Sequence, residues 1–322
     1  MRQILTRLMQ IAIVLLAISA IAFLLIQTLG DPLGSLLPPE ATLKDREELI
    51  ARLALDQPLL TRFLSFVTGM LQGDFGLSYR TQTDVLTLIA ERLPATIELG
   101  IASLVFTILI GVPLGIFCGV YPDSWLARTI MGGSLLGISL PNFVVGILLI
   151  AVLSVTLGMF PAFGRGQTVV IGGWTTGFLT LSGLKSLILP GLTLASFQIT
   201  FIIRMLRTQL IEIGASEHIR FARARGLSEG RIWFEYALRN TLLPVTTMLG
   251  LQLGNVIAFS VVTESVFAWP GIGTLFLQSV QTADVPVIGV YLILVGAIFM
   301  VINFCVEALY PLIDPRTRRR SA

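Results

Sequence analysis

Six predominantly apolar stretches of this 322-residue chain contain no Asp, Glu, Lys or Arg and are long enough to cross a bilayer: 8–30, 99–122, 129–164, 186–203, 240–263 and 285–306. A helix rises ~1.5 Å per residue, so about 20 residues cover a hydrocarbon core ~30 Å thick. Composition points the same way. The chain is 54% hydrophobic and 13% charged, with mean hydropathy +0.86, whereas soluble domains carry about 25% charged residues. Too few charges remain to solvate a surface of this size. The expected fold is all-α: a polytopic membrane bundle of six transmembrane helices.

The runs differ in detail. The fourth is the shortest, and snorkelling of Arg204 and Arg207 extends it. The third is long enough for a span plus part of a loop, which Gly158, Pro161 and Gly164 mark. Pro113 and Pro141 lie within spans and should kink them. The first run follows Arg2 and Arg7, and Ala20-Ile21-Ala22 imitates a cleavage site. Phe23-Leu24-Leu25-Ile26 carry the apolar run past that point, too long for a signal-peptide core, so it reads as a retained span.

Charge placement sets orientation. With the N-terminus inside, six spans return the C-terminus inside. The inner segments then hold Arg2, Arg7, Arg128, the Arg204–Arg239 cluster, and Arg316, Arg318, Arg319 and Arg320. The short outer loops hold only Arg165 and Lys185, as the positive-inside rule requires. The chain divides into a tail and first span (1–30), an extracytoplasmic segment (31–97) and a five-helix core (98–322). In the outer segment, Leu59, Phe63, Phe66, Val67 and Met70 recur at helical spacing, and Gly73-Asp74-Phe75-Gly76 reads as a turn. That stretch is either a docking surface or a structural cap. Gly111, Gly115 and Gly119, and again Gly250 and Gly254, recur every fourth residue, a spacing that lets helices approach closely in lipid. Cys118 and Cys305 lie in apolar runs with no disulfide or zinc spacing. The net charge of +3 comes from arginines set between apolar runs, which positions the chain against a membrane and leaves no basic stripe for nucleic acid.

The inner loop between the fourth and fifth spans, 212–244, carries the most information. Ser216 is placed to cap a helix, with Glu217 at its positive end. Gly226 stands where a helix stops, with Arg225 in its last turn, and Ser228 can open a second helix toward Pro244. Ile219, Ala222 and Gly226 form a small face suited to a partner's groove, rimmed by Arg220, Arg223 and Arg225. By spacing alone the loop is either a docking element or an ordinary Arg-rich inner loop.

The run Ala222-Arg223-Ala224-Arg225-Gly226-Leu227-Ser228, followed by Ala237-Leu238-Arg239-Asn240 and Leu243-Pro244, resembles the EAA loop of bacterial ABC importer permeases of the dipeptide, oligopeptide and nickel group. Glu217 matches the acidic residue that opens the motif; Arg225 replaces a lysine, and Phe221 stands where the group often has Thr. Leu55-Asp56-Gln57-Pro58-Leu59, Gly73 to Ser78, Arg92 to Thr96, Ser139-Leu140-Pro141, Val262-Thr263-Glu264, Trp269 to Gly273 and Asp314-Pro315-Arg316 extend the likeness over nearly the whole chain. The resemblance implies a cytoplasmic coupling helix that docks on an ATP-binding subunit through Glu217, Ile219, Arg220, Ala222, Arg223, Ala224, Arg225, Gly226 and Leu227. It implies alternating access, two ATP-binding subunits, a second related permease and an extracytoplasmic substrate-binding protein. The implied cargo is a di- or oligopeptide, or else a glutathione-like compound, a nickel chelate or an oligosaccharide. There is no phosphate-binding G-x-x-x-x-G-K-[ST] run, so ATP and Mg belong to partner subunits and no cofactor is expected on this chain.

Other polar residues are weaker candidates. His218, the only histidine, has no metal-ligand spacing and lies in the inner loop; no catalytic or metal residue is expected. Glu264 lies at the outer end of the fifth span. It is a path or gate residue or a satisfied interfacial charge. Asn255, Gln252, Gln198 and Asn303 either line a path or bond between helices. Glu98 reads as interfacial. An ion-coupled secondary carrier is the rival reading, against which stand the uncharged span interiors and the lack of a clear internal repeat.

Overall fold

The computed structural model describes residues 2–29, 42–52 and 56–313, with some side chains inside the helices left undescribed. The helices are α1 (Arg2–Leu29), α2 (Leu43–Arg52), α3 (Leu59–Leu71), α4 (Val85–Val120), α5 (Trp125–Ser139), α6 (Asn142–Thr156), α7 (Leu181–Gly214), α8 (Glu217–Ala224), α9 (Glu229–Arg231), α10 (Leu238–Val266), α11 (Ile272–Gln281) and α12 (Val285–Ile313). One antiparallel hairpin, β1 (Val169–Ile171) with β2 (Trp174–Thr176), lies between α6 and α7. Among the described residues, α1, α4, α7 and α12 are each long and apolar enough to cross a membrane, and a bent pair raises this to as many as five.

That pair corrects the expectation for the third run. Residues 129–164 do not form one straight span: α5 and α6 meet at 111°. Pro141 is the cause. It has no N–H to donate and holds the residue before it away from helical geometry, so α5 ends at Ser139 and α6 restarts at Asn142 with extended Pro141 before it. Pro113 acts more gently. A π-helical turn at Thr107–Gly111 absorbs the interrupted hydrogen bonding just before it, and α4 continues to Val120.

By Cα proximity the chain forms two compact units, residues 1–94 with 270–300 and residues 95–269 with 301–322. In the first, α3 forms where the apolar spacing predicts it, and its Phe63 and Phe66 rings sit 5.4 and 5.7 Å from Phe23 of α1. Gly289 lets α12 approach α1 so closely that a Cβ there would stand 3.0 Å from Ile26. The ring of Phe276 on α11 stacks on Tyr291 of α12, with centroids 4.3 Å apart.

The second unit is built around α7. The glycine spacing noted in the second run resolves into one seam against this helix. A Cβ at Gly111 would lie 3.3 Å from Ile199 Cα; at Gly115, 2.9 Å from Leu206; at Gly119, 2.7 Å from Leu210. From the other side, Gly137 meets Thr200 and Gly146 meets Thr193. The second glycine pair also packs: Gly250 of α10 has no room for a Cβ beside Val306 of α12, and Gly254 is buried.

Gly115→Leu should therefore lower the midpoint of thermal unfolding in detergent by several degrees, the overpacking cost being about 1–3 kcal/mol. Gly132→Leu, on α5 where a Cβ meets nothing within 4 Å, should leave it unchanged; equal midpoints for the two variants would show that the seam is not tight.

Candidate functional site

The loop between α7 and α10 folds as a short helix, a glycine turn and a second helix. α8 ends in a Schellman turn. Gly226 has φ +76°, which costs a residue with a Cβ about 1 kcal/mol, and its N–H donates to Arg223 O at 2.9 Å. The Leu227 N–H donates to Ala222 O at 3.3 Å, and the Leu227 side chain packs back on the cluster containing Ala222. The start of α8 departs from expectation: the Ser216 hydroxyl donates back to the Ile213 carbonyl and does not cap, while Glu217 pairs with Arg220 at 3.1 Å. The second helix enters through α9 and a π-helical turn, Ile232–Ala237.

Two residues of the expected docking face turn inward. Ile219 and Ala222 are buried within the chain itself, against Leu210, Ile232 and Ala237. Burying the isoleucine alone contributes about 1.5–3 kcal/mol. Arg223 is also used internally: it pairs with Glu229 at 2.8 Å, and its guanidinium lies 5.9 Å from the Trp233 ring centroid. Trp233 in turn lies over Gly214 at the end of α7. The hydrogen bond to Glu229 raises the pKa of Arg223, and the same bond lowers that of Glu229.

What the helix presents outward is Glu217, His218, Phe221, Ala224 and Arg225, with Arg220 beside them. Phe221 is 65% exposed, and the Arg225 guanidinium lies 5.8 Å from its ring centroid. A phenylalanine this exposed on a helix seated by its opposite face is the residue that sequence reasoning passed over. Its signal was the departure from Thr at that position. Gly226 is open, with nothing within 4 Å of a Cβ.

Two of the polar candidates within the spans, Glu264 and Gln198, have separate hydrogen-bond partners. Glu264 is fully buried; its Oε1 accepts from Thr96 Oγ1 at 2.7 Å and Ser260 Oγ at 3.1 Å. Beside it the Trp269 N–H donates to Glu264 O, and Trp269 Nε1 donates to Ala95 O at 2.9 Å. Gln198 lies elsewhere, between α4 and α7, where it accepts from Thr107 Oγ1 at 3.1 Å and donates to Ser103 Oγ at 3.5 Å. Gln252 and Asn303 are half-buried, and the side chain of Asn255 lies outside the described residues, as do those of Arg239, Asn240 and Leu243-Pro244.

A buried ion pair was not anticipated. Glu98 of α4 meets Arg165 at 2.8 Å, with both side chains at least nine-tenths buried. Glu98 Oε1 also accepts from the Gly177 N–H at 2.7 Å, and Arg165 donates to Thr175 O and Oγ1. The pair ties the β1–β2 hairpin to α4. The available signal was a lone arginine in an otherwise uncharged stretch, with a glutamate opening the second run.

Residues 111–319 match the family described as the binding-protein-dependent transport system inner membrane component, and residues 1–100 match its N-terminal component. The oligopeptide transport system permease protein AppB of Bacillus subtilis is 36% identical over 94% of this chain and 95% of its own. The dipeptide transport system permease protein DppB of Escherichia coli K12 is 32% identical over 90% and 91%. The glutathione transport system permease protein GsiC of the same strain is 36% identical over 97% of each. A chain of the inward-facing MetNI methionine ABC transporter superposes with TM-score 0.56 and 20% identity, covering 71% of this chain and 97% of that one, a likeness of fold.

Two expectations follow from the local geometry. Glu98→Ala leaves Arg165 buried without its partner, which should cost about 3–5 kcal/mol and raise amide hydrogen exchange across 169–177; unchanged exchange would mean that the pair does not hold the hairpin. The Glu229 pKa is lowered, so the stabilisation from its pairing with Arg223 is present above the ordinary carboxylate value and lost only as pH falls through the lowered one. Intrinsic-rate-corrected exchange over 217–229 should be flat from about pH 5 to 8 and rise only below roughly pH 4.

Proposed function

Because the chain belongs to the family of binding-protein-dependent transport system inner membrane components, the multi-pass permeases of ABC importers, we propose that it is the permease subunit of an ATP-driven importer whose cargo is a di- or oligopeptide. The peptide assignment draws on relatives named for oligopeptide, dipeptide and glutathione transport. In this reading α10 is the fifth span and the bent α5–α6 pair the third, giving six spans with both termini in the cytoplasm. Two ATP-binding subunits hydrolyse ATP, a second related permease completes the pathway, and an extracytoplasmic binding protein delivers cargo.

The observation that carries the coupling role is the division of α8 into two faces. Its inner face, Ile219 and Ala222, is seated on the chain's own Leu210 and Ile232; its outer face offers Phe221 with Arg225 beside it. An aromatic ring flanked by a guanidinium is the type of side chain that anchors protein interfaces. Phe221 enters the groove of the ATP-binding subunit, and Arg225, Arg220 and Glu217 form its charged rim.

The test is uptake by the assembled importer in proteoliposomes. Phe221→Ala should insert normally and reduce ATP-dependent uptake at least tenfold. Gly226→Asp should do the same: the turn tolerates aspartate better than other residues at positive φ, while the anion blocks docking. Wild-type uptake by both variants refutes the docking role of this face, and uptake that persists without any ATP-binding subunit refutes the importer in favour of a secondary carrier.

A further inference from the structure

In the unit formed by residues 1–94 and 270–300, the turn before α4, the first turns of α4 and the α11–α12 connection enclose a recess of about 240 Å³. Ser78, Arg80, Arg92, Ser279 and Asp284 line it. Asp284 is already committed. Its Oδ2 accepts from Ser78 Oγ at 2.5 Å and its Oδ1 from the Tyr79 N–H at 2.9 Å, which knits the turn to the α11–α12 connection. The two guanidinium groups are not committed: among the described residues neither Arg80 nor Arg92 pairs with a carboxylate. Ser279, 4% exposed, also has no hydrogen bond from its hydroxyl there. The recess is therefore lined by two arginines without a carboxylate partner and by a serine hydroxyl, and its single acid is already satisfied.

We propose that this recess is an oxyanion site that receives the free carboxylate of the peptide cargo. Guanidinium forks match a carboxylate bidentately, and a serine hydroxyl supplies a third donor. About 240 Å³ admits a terminal residue and excludes a folded partner, since pockets that take whole drug-sized ligands run roughly 300–1,000 Å³. Both lining segments fall outside the membrane in the proposed topology, on the side where cargo arrives. The identity of the anion as cargo rests on the importer reading; the site itself does not.

The full chain in phosphatidylcholine nanodiscs, without partners or ATP, is titrated with acetyl-alanyl-alanine and with its C-terminal amide, binding being read by saturation-transfer NMR. The free acid should bind and the amide bind at least tenfold more weakly. Arg80→Gln and Arg92→Gln should each weaken the acid at least fivefold, while Arg128→Gln on α5 leaves it unchanged. No binding of the acid, equal binding of acid and amide, or unaltered binding in both recess variants overturns the site. Loss of wild-type acid binding on exchange into phosphatidylglycerol nanodiscs, when both arginine variants are already weakened in phosphatidylcholine, assigns the recess to a lipid phosphate and overturns the cargo assignment. Sound binding by a chain that supports no ATP-dependent uptake with its partners leaves the site standing and removes the importer reading.

Discussion

The close approach of α4 to α7 is the contact on which the second unit depends. In lipid there is little hydrophobic gain from bringing two apolar helices together, so association rests on backbone proximity and on the few polar groups that meet. Gly111, Gly115 and Gly119 lie in a line against Ile199, Leu206 and Leu210, each with less space than a methyl group needs. Gly137 and Gly146 bring α5 and α6 to other positions on the same helix. α7 thus serves as the post on which the neighbouring helices are hung, and its length of 34 residues carries that order through to the loop that follows.

Polar groups inside this unit are arranged by the same scarcity of water. A buried carboxylate is costly unless it is bonded on all sides. Glu98 meets that demand with Arg165 and the Gly177 N–H; Glu264 does so in part with the hydroxyls of Thr96 and Ser260. Thr96 and Glu98 are separated by one residue on α4, so a single turn of that helix supplies partners to α10 and to the hairpin after α6. Gln198 with Thr107 and Ser103 makes a separate polar contact deeper along α7. It sits against the π-helical turn that Pro113 provokes, where loosened backbone hydrogen bonding gives side-chain hydroxyls more to do.

How much of this could be read in advance depended on whether the deciding residues were neighbours in sequence. The charge-free runs identified the long helices because lipid burial is a property of a whole segment. The helix at Leu59–Leu71 and the Gly226 stop were equally local. Pro141 announced a break, but its 111° angle is set by what α5 and α6 pack against. The β1–β2 hairpin had no alternating pattern to betray it; it is held from outside, by Arg165. The inward seat of Ile219 and Ala222 on α8 was hidden for the same reason. Ile219 and Ala222 form a small apolar stripe that would suit either a partner or a core. Leu210, Ile232 and Ala237, which decide the matter, lie nine or more residues away and come together only when α7 and α10 are in place.

The inward seat of Ile219 and Ala222 suits the coupling role proposed for α8. A helix held to a partner by its only apolar face would hang from the membrane domain by flexible connections, and motion would be lost in them. Here the apolar face is seated on the end of α7 and the start of the helix that becomes α10, with the Schellman turn and the Arg223–Glu229 pair closing the corner. Trp233, lying over Gly214 beneath Arg223, leaves no slack between the two. In the proposed docking role, a push at Phe221 would have two outlets, Leu210 into α7 and Ile232 with Ala237 into α10. The first of these is the residue against which Gly119 is pressed, so the glycine seam is the next element to feel it.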